Sequence, residues 1–148
     1  MSRKRSRARL HSVQALYQWQ MTGQDVSEVE RQFLAERDLS GFDVGYFHEL
    51  LHGVPARLNR LDEALGPLLD RSISSVDPVE RAILRLGAYE LLQHPEIPYR
   101  VVINEAVELA KTFGATEGHK YVNGVLDRMA RQVREVEVGA RAKGGPGR

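Results

Sequence analysis

The chain has no cysteine among its 148 residues, which removes disulfides, thiolate metal sites and thiol redox chemistry and suits a reducing compartment. No apolar run approaches the roughly 20 residues a helix needs to cross a bilayer. The charged N-terminus is not followed by the apolar stretch of a secretory signal. A soluble, cytoplasmic protein with no membrane contact is expected. Strand patterns are missing as well: no segment alternates apolar and polar residues with period two, and no internal repeat is visible. Without a strand leading into a glycine-rich phosphate loop, the usual nucleotide-dependent enzymes are unsupported and no cofactor is implied. Net charge is also scarce, at 21 basic against 20 acidic residues. The length is that of one domain, large enough for a real core.

What is present is charge sorted by position. Residues 1–9 hold five basic groups, Arg3, Lys4, Arg5, Arg7 and Arg9, and no acid. Residues 10–130 hold eleven basic against eighteen acidic groups, a balance of −7, and residues 131–148 hold five against two. An acidic body is a poor general polyanion binder, so affinity for nucleic acid has to come from a local patch, and the N-terminal five are the densest candidate. A solvated basic tail is the competing reading, weakened because Arg7 and Arg9 lead straight into a helical pattern. There Leu10, Val13, Leu16, Tyr17 and Met21 share a face that ends near Gly23, placing the arginines in the opening turn. Cations at that end oppose the helix dipole at a cost of about 0.3–1 kcal/mol each when exposed. A phosphate drawn to both the free amides and the arginines offsets it. Trp19 reads as packing, whereas the hydroxyl of Tyr17 can reach the same basic surface.

Further helices follow. One is expected over Val26–Glu36, capped by Asp25 or Ser27, with Val29, Phe33 and Leu34 inward. From Val44 the series Phe47, Leu51, Val54, Leu58, Leu61 and Leu65 alternates steps of three and four, as a packed seam demands. Pro55 deletes a backbone hydrogen bond within it, so a bent or broken helix is expected between two helical lobes. After a short helical turn around Pro67–Asp70 and a polar linker, Asp77-Pro78 opens a helix through Gln93, with Asp77 as cap. GARAKGGPGR at the end reads as a flexible tail by composition.

Pro98 to Met129, PYRVVINEAVELAKTFGATEGHKYVNGVLDRM, carries two apolar stripes. They run through Ile103, Ala106, Val107, Ala110 and Phe113, then through Val122, Val125, Leu126 and Met129. Gly114 separates them, where a C-terminal cap favours positive φ. The stripes leave over Asn104, Lys111, Glu117, His119, Lys120, Tyr121 and Asn123, a polar and aromatic group gathered around one connection. Lys111 and Tyr121 each have an ordinary reading, as a solvated lysine and as an edge of the core. Asn123 reads as structural.

A different chemistry is written at His48-Glu49-Leu50-Leu51-His52, an H-E-x-x-H pattern that can place two imidazoles on one helix face for zinc, with Glu49 as general base. The metzincin extension fails, because Pro55 and Leu58 stand where glycine and a third histidine are required. Glu63, Glu80 or Glu90 are the remaining sources of a third ligand. The seam turns Phe47 and Leu51 inward and leaves His48 and His52 at its flanks. The pentad is therefore expected to be metal-free, with a zinc peptidase as the minor alternative.

RARLHSVQALYQWQ, VERAILRLGAYEL, INEAVELAK and FGATEGHKYVNGVLD stand in an order and spacing that resemble the NusB family of bacterial transcription antitermination factors, over about Arg5 to Val133. The resemblance implies an all-α, compact bundle of about seven helices in two subdomains, about 5–65 and 66–135, followed by a tail over 136–148. It implies a non-enzymatic protein that binds boxA RNA of ribosomal-RNA leader transcripts together with NusE, other Nus factors and RNA polymerase. It also brings the first helix against the last two, joining Arg5, Arg7, Arg9 and Tyr17 to Lys111, Glu117, Lys120 and Tyr121 as one RNA-binding surface. There Tyr121 would stack a base, and Glu117, by family position, would limit affinity. Related domains fused to ribosomal-RNA cytosine methyltransferases leave a freestanding RNA scaffold as a further alternative. Helix-turn-helix DNA binding is less well supported, since the helix after Gly118 lacks an arginine-rich face. Asp77 and Glu80, read as an exposed helix start on the acidic body, are the expected docking points for NusE.

Overall fold

The computed structural model describes residues 2–114 and 117–144. Among them are eight α-helices and no strand: α1 (Arg3–Thr22), α2 (Val26–Glu36), α3 (Val44–Ala56), α4 (Leu58–Leu65), α5 (Pro78–Gln93), α6 (Tyr99–Phe113), α7 (Gly118–Val133) and α8 (Glu135–Gly144). Short 3₁₀ turns at Gly66–Leu68 and Ile73–Ser75 join α4 to α5.

Local chemistry sets most boundaries. Ser2 opens α1 by accepting the Arg5 amide at 3.2 Å, and Gly23 closes it at φ +70°, the left-handed cap glycine permits. Asp25, Asp43 and Asp77 each accept an amide in the first turn of α2, α3 and α5, satisfying donors that otherwise lack partners. Pro55 sits one residue before the end of α3, and the break falls at Arg57, where the chain restarts as α4. The apolar seam continues across that break: Phe47, Leu51, Val54, Leu61 and Leu65 are all fully buried.

Two expectations at helix ends change. Gly114 caps α6 in extended backbone, φ −88° and ψ −179°, not the left-handed conformation. Its reason is proximity, since a Cβ there would stand 2.7 Å from the carbonyl oxygen of Ala110. The flexible tail expected from residue 136 is instead helical through Gly144. Its alanines and glutamates favour helix, and the glycine count obscures them.

α5 is the centre. It packs against α1, α3 and α4 on one side and α6 and α7 on the other, and every residue from Ala82 to Leu91 is buried. Its C-terminus is closed by Arg134, a buried residue just past α7. Its guanidinium donates to the carbonyls of Leu91 and Ile97 at 2.9 Å and of His94 at 2.8 Å. A cation there meets both the orphan carbonyls and the negative end of the helix dipole.

Candidate RNA-binding surface

α1 carries the N-terminal charges, and its 100° per residue divides them. Arg3, Lys4 and Arg7 are exposed, line a hollow of about 660 Å³ with Ser6 and Gly41, and form no ion pair among the described residues. Arg5 is half-exposed; its guanidinium lies 4.2 Å over the Tyr46 ring and 4.0 Å from Asp43, a cation–π contact that holds the head group in place.

Arg9 is not on that surface. It is 2% exposed, with Nε 3.1 and 2.9 Å from the two carboxylate oxygens of Glu90 and Nη1 3.1 Å from Glu105. The Tyr46 hydroxyl also donates to Glu90. Burial pushes the Glu90 carboxyl above its ordinary range even with Arg9 beside it, and burial, then Glu90, push the Tyr46 hydroxyl up. Two residues beyond Arg7, Arg9 points to the opposite side of the helix and serves the core, not a phosphate.

Two turns beyond Arg7, past buried His11, the same side of α1 presents half-exposed Gln14 and Gln18 and exposed Tyr17 and Met21. Tyr17 is 39% and Met21 54% exposed, and both line a hollow of about 400 Å³ with Val13, Phe33, Val79 and Phe113. Arg37 forms its rim, donating to Gln14 at 2.7 Å and lying 4.3 Å over the Phe33 ring. Beneath this face the buried His11 imidazole is held below its usual value, by burial first and then by Arg37 and Arg7. Four residues here go beyond those expected from the sequence: Gln14, Gln18, Arg37 and Phe113. Gln14 and Gln18 are readable from their spacing to Tyr17, whereas Arg37 and Phe113 arrive from other parts of the chain.

Lys111, Glu117, Lys120 and Tyr121 lie elsewhere. Arg5 and Arg9 share a hollow with Ile97, Pro98 and Val101 at the start of α6, while Phe113, at its end, meets Tyr17 and Met21. Lys111 thus sits near the far end of α1, and Arg5 and Tyr17 are about 18 Å apart along the helix axis. The residues expected to form one compact patch are spread over α1, α6 and α7. Exposed Lys111 pairs with Glu108 at 3.5 Å and Lys120 with Glu117 at 3.1 Å, surface pairs worth little. The Tyr121 hydroxyl donates to Asp70 at 3.1 Å, and Arg71 lies 5.2 Å over its ring. Ala115 and Thr116, within the expected connection, lie outside the described residues.

The docking pair also divides. Asp77 is exposed and spends its carboxylate on the amides of Val79 and Glu80. Glu80 is not exposed as expected: it is 9% accessible, packed where Gly118 lacks a side chain. Burial first, then Asp77, raise its pKa.

The H-E-x-x-H pentad gains a partner. Glu30, from α2, places one carboxylate oxygen 2.6 Å from Nδ1 of His48 and the other 2.9 Å from Nε2 of His52. These three offer ligand atoms within 4.8 Å of one another. Glu49 turns away, to the Tyr89 hydroxyl at 2.9 Å and to His94, so it does not stand where a peptidase base is needed.

The NusB family model matches residues 6–131. Transcription antitermination protein NusB of Nitrosococcus oceani is 60% identical over 96% of this chain and 95% of its own length. The chain belongs to the NusB family. The Pseudomonas fluorescens NusB is 55% identical over 94% of this chain and 84% of its own. Among solved structures, T. maritima NusB superposes with a TM-score of 0.76 at 32% identity, over 89% of this chain and 94% of that one. A crystal structure of antitermination factors NusB and NusE in complex with dsRNA gives 0.82 at 28%, over 89% and 99%. NusB proteins are transcription antitermination factors, not enzymes, and this chain is one of them. No helix among the described residues is long and apolar enough to cross a membrane.

Proposed function

We propose that this protein works in the cytoplasm on nascent ribosomal-RNA leader transcripts, binding the boxA element as single-stranded RNA together with NusE, within an antitermination complex that also holds other Nus factors and RNA polymerase. The observation that carries the reading is the exposed face of α1: three exposed cations at its start, then exposed Tyr17 toward its far end, where it lines a hollow with Phe113 of α6. Cations spaced along a track neutralise successive phosphates, and an exposed aromatic accepts a base, as single-stranded recognition requires. Arg5 stands on the other side of α1, beside the start of α6, with Arg9 beneath it as support for the helix; Lys111, Glu117, Lys120 and Tyr121 would extend the surface from α6 and α7. The acidic body remains the reading for the NusE-facing side, with Asp77 at its exposed edge and Glu80 withdrawn from it. A solved relative held with NusE and RNA supports this assignment.

Gel shifts with boxA RNA and a scrambled control, each with and without NusE, test it. Preference for boxA that sharpens when NusE is added is the expected result. Equal affinity for both RNAs, unmoved by NusE, overturns it.

A further inference from the structure

His48 and His52 are four residues apart on α3, so both project from one face, and their rings lie 4.2 Å apart. Neither is part of the core: their side chains are 59% and 32% exposed. Glu30 reaches them from α2 with a side chain only 14% exposed, so its carboxylate is already set against the pair. Two imidazoles and one carboxylate are the ligand set that holds zinc with a position left for water, and imidazole nitrogen suits the other late first-row divalent ions.

Ligand atoms around a tetrahedral zinc stand about 3.3 Å apart, from zinc–nitrogen distances of about 2.0–2.1 Å. The present separations of 2.6 and 2.9 Å are those of hydrogen bonds from each ring to the carboxylate. Opening them by about half an ångström needs only small side-chain turns within staggered wells, chiefly of the exposed His48 ring. With Glu49 turned toward Tyr89 and His94, the site would be structural, tying α2 to α3.

We propose that Glu30, His48 and His52 form a binding site for one divalent transition-metal ion of the zinc class, which staples α2 to α3. This departs from the metal-free pentad expected from the sequence, where the candidate third ligands lie downstream, at residues such as Glu63, Glu80 or Glu90, and not at Glu30, upstream and on another helix.

The test uses the full chain, freed of any affinity tag and stripped with chelator, titrated with zinc chloride by calorimetry and with cobalt chloride by visible absorption. One ion per chain, an unfolding midpoint that climbs with zinc concentration, and a cobalt band in the visible are expected. Glu30→Ala, His48→Ala and His52→Ala should each weaken zinc at least about tenfold, more than the smallest losses seen when only a supporting residue is removed. His94→Ala, in a separate cluster, should change nothing. Should Glu30→Ala fail to fold, His48→Ala gives the same reading from a more exposed position. Absence of saturable binding, or binding unaltered by the His48 and His52 substitutions, overturns the proposal. Neither outcome bears on boxA recognition.

Discussion

Arg7 and Arg9 stand two residues apart on one helix and do opposite work. Arg7 is exposed on the face that continues to Tyr17; Arg9 is buried against Glu90, Glu105 and the Tyr46 ring. A step of two turns a helix by about 200°, so neighbouring members of one charge run belong to different environments. The basic run is therefore not one site. Part of it is a phosphate-facing surface, and part is a buried ion pair that holds α1 against α5 and α6.

The largest effect should separate the two. Arg9→Ala leaves Glu90 buried with its cation gone, and breaking such a pair costs about 3–5 kcal/mol. Urea unfolding should show that loss, whereas Arg7→Ala should stay within about 0.5 kcal/mol of the parent, as exposed substitutions do. Equal stability of the two variants would dissolve the distinction.

RNA binding should sort them the other way. Arg3→Ala combined with Arg7→Ala should leave the fold intact, weaken boxA binding, and flatten the dependence of log K on log salt by about 0.7 for each phosphate no longer neutralised. Fluorescence anisotropy over a salt series measures both. An unchanged slope would move the phosphate-binding groups off α1.

Next in size is Tyr17, at the other end of the same face. Removing a stacking ring costs about 1–3 kcal/mol per base, so Tyr17→Ala should lower RNA affinity by roughly that much while Tyr17→Phe keeps it. A parallel loss in Tyr17→Phe would shift the role from the ring to the hydroxyl.

Much of the fold is legible in the sequence because its signals are local. Asp77-Pro78 marks the start of α5 to the residue, and the steps of three and four through Leu65 carry the seam across Pro55, since caps and periodicity act within one or two turns. Buried polar chemistry is not legible, because its partners are distant in sequence. Glu90 lies 81 residues from Arg9 and Glu30 lies 18 before His48. No spacing rule links such pairs, so Arg9 and Glu80 read as surface charges and the pentad lacks its third ligand. The separation of Lys111 from Arg5 is hidden for the same reason: it depends on α6 running alongside α1 with like ends together.

The smallest effect concerns Tyr121, on α7. Its ring face toward Arg71 is occupied and its hydroxyl is held by Asp70, so a base meeting this residue finds a tyrosine already clamped by its own protein. The Asp70 carboxyl is held down at about 2, chiefly by the hydrogen bond from Arg71 and further by that from Tyr121. Since its folded pKa lies below the unfolded value, the clamp contributes fully above the usual aspartate range and is lost as pH falls through about 2. Tyr121→Phe removes one of the two donors and keeps the ring. Asp70 should then titrate higher, visible by NMR of its carboxyl carbon, while boxA affinity near neutral pH stays within about twofold of the parent, because the stacking face is retained. A larger loss of affinity would mean that the hydroxyl itself meets RNA and that the clamp opens on binding. An unmoved Asp70 would assign its depressed titration to Arg71 alone.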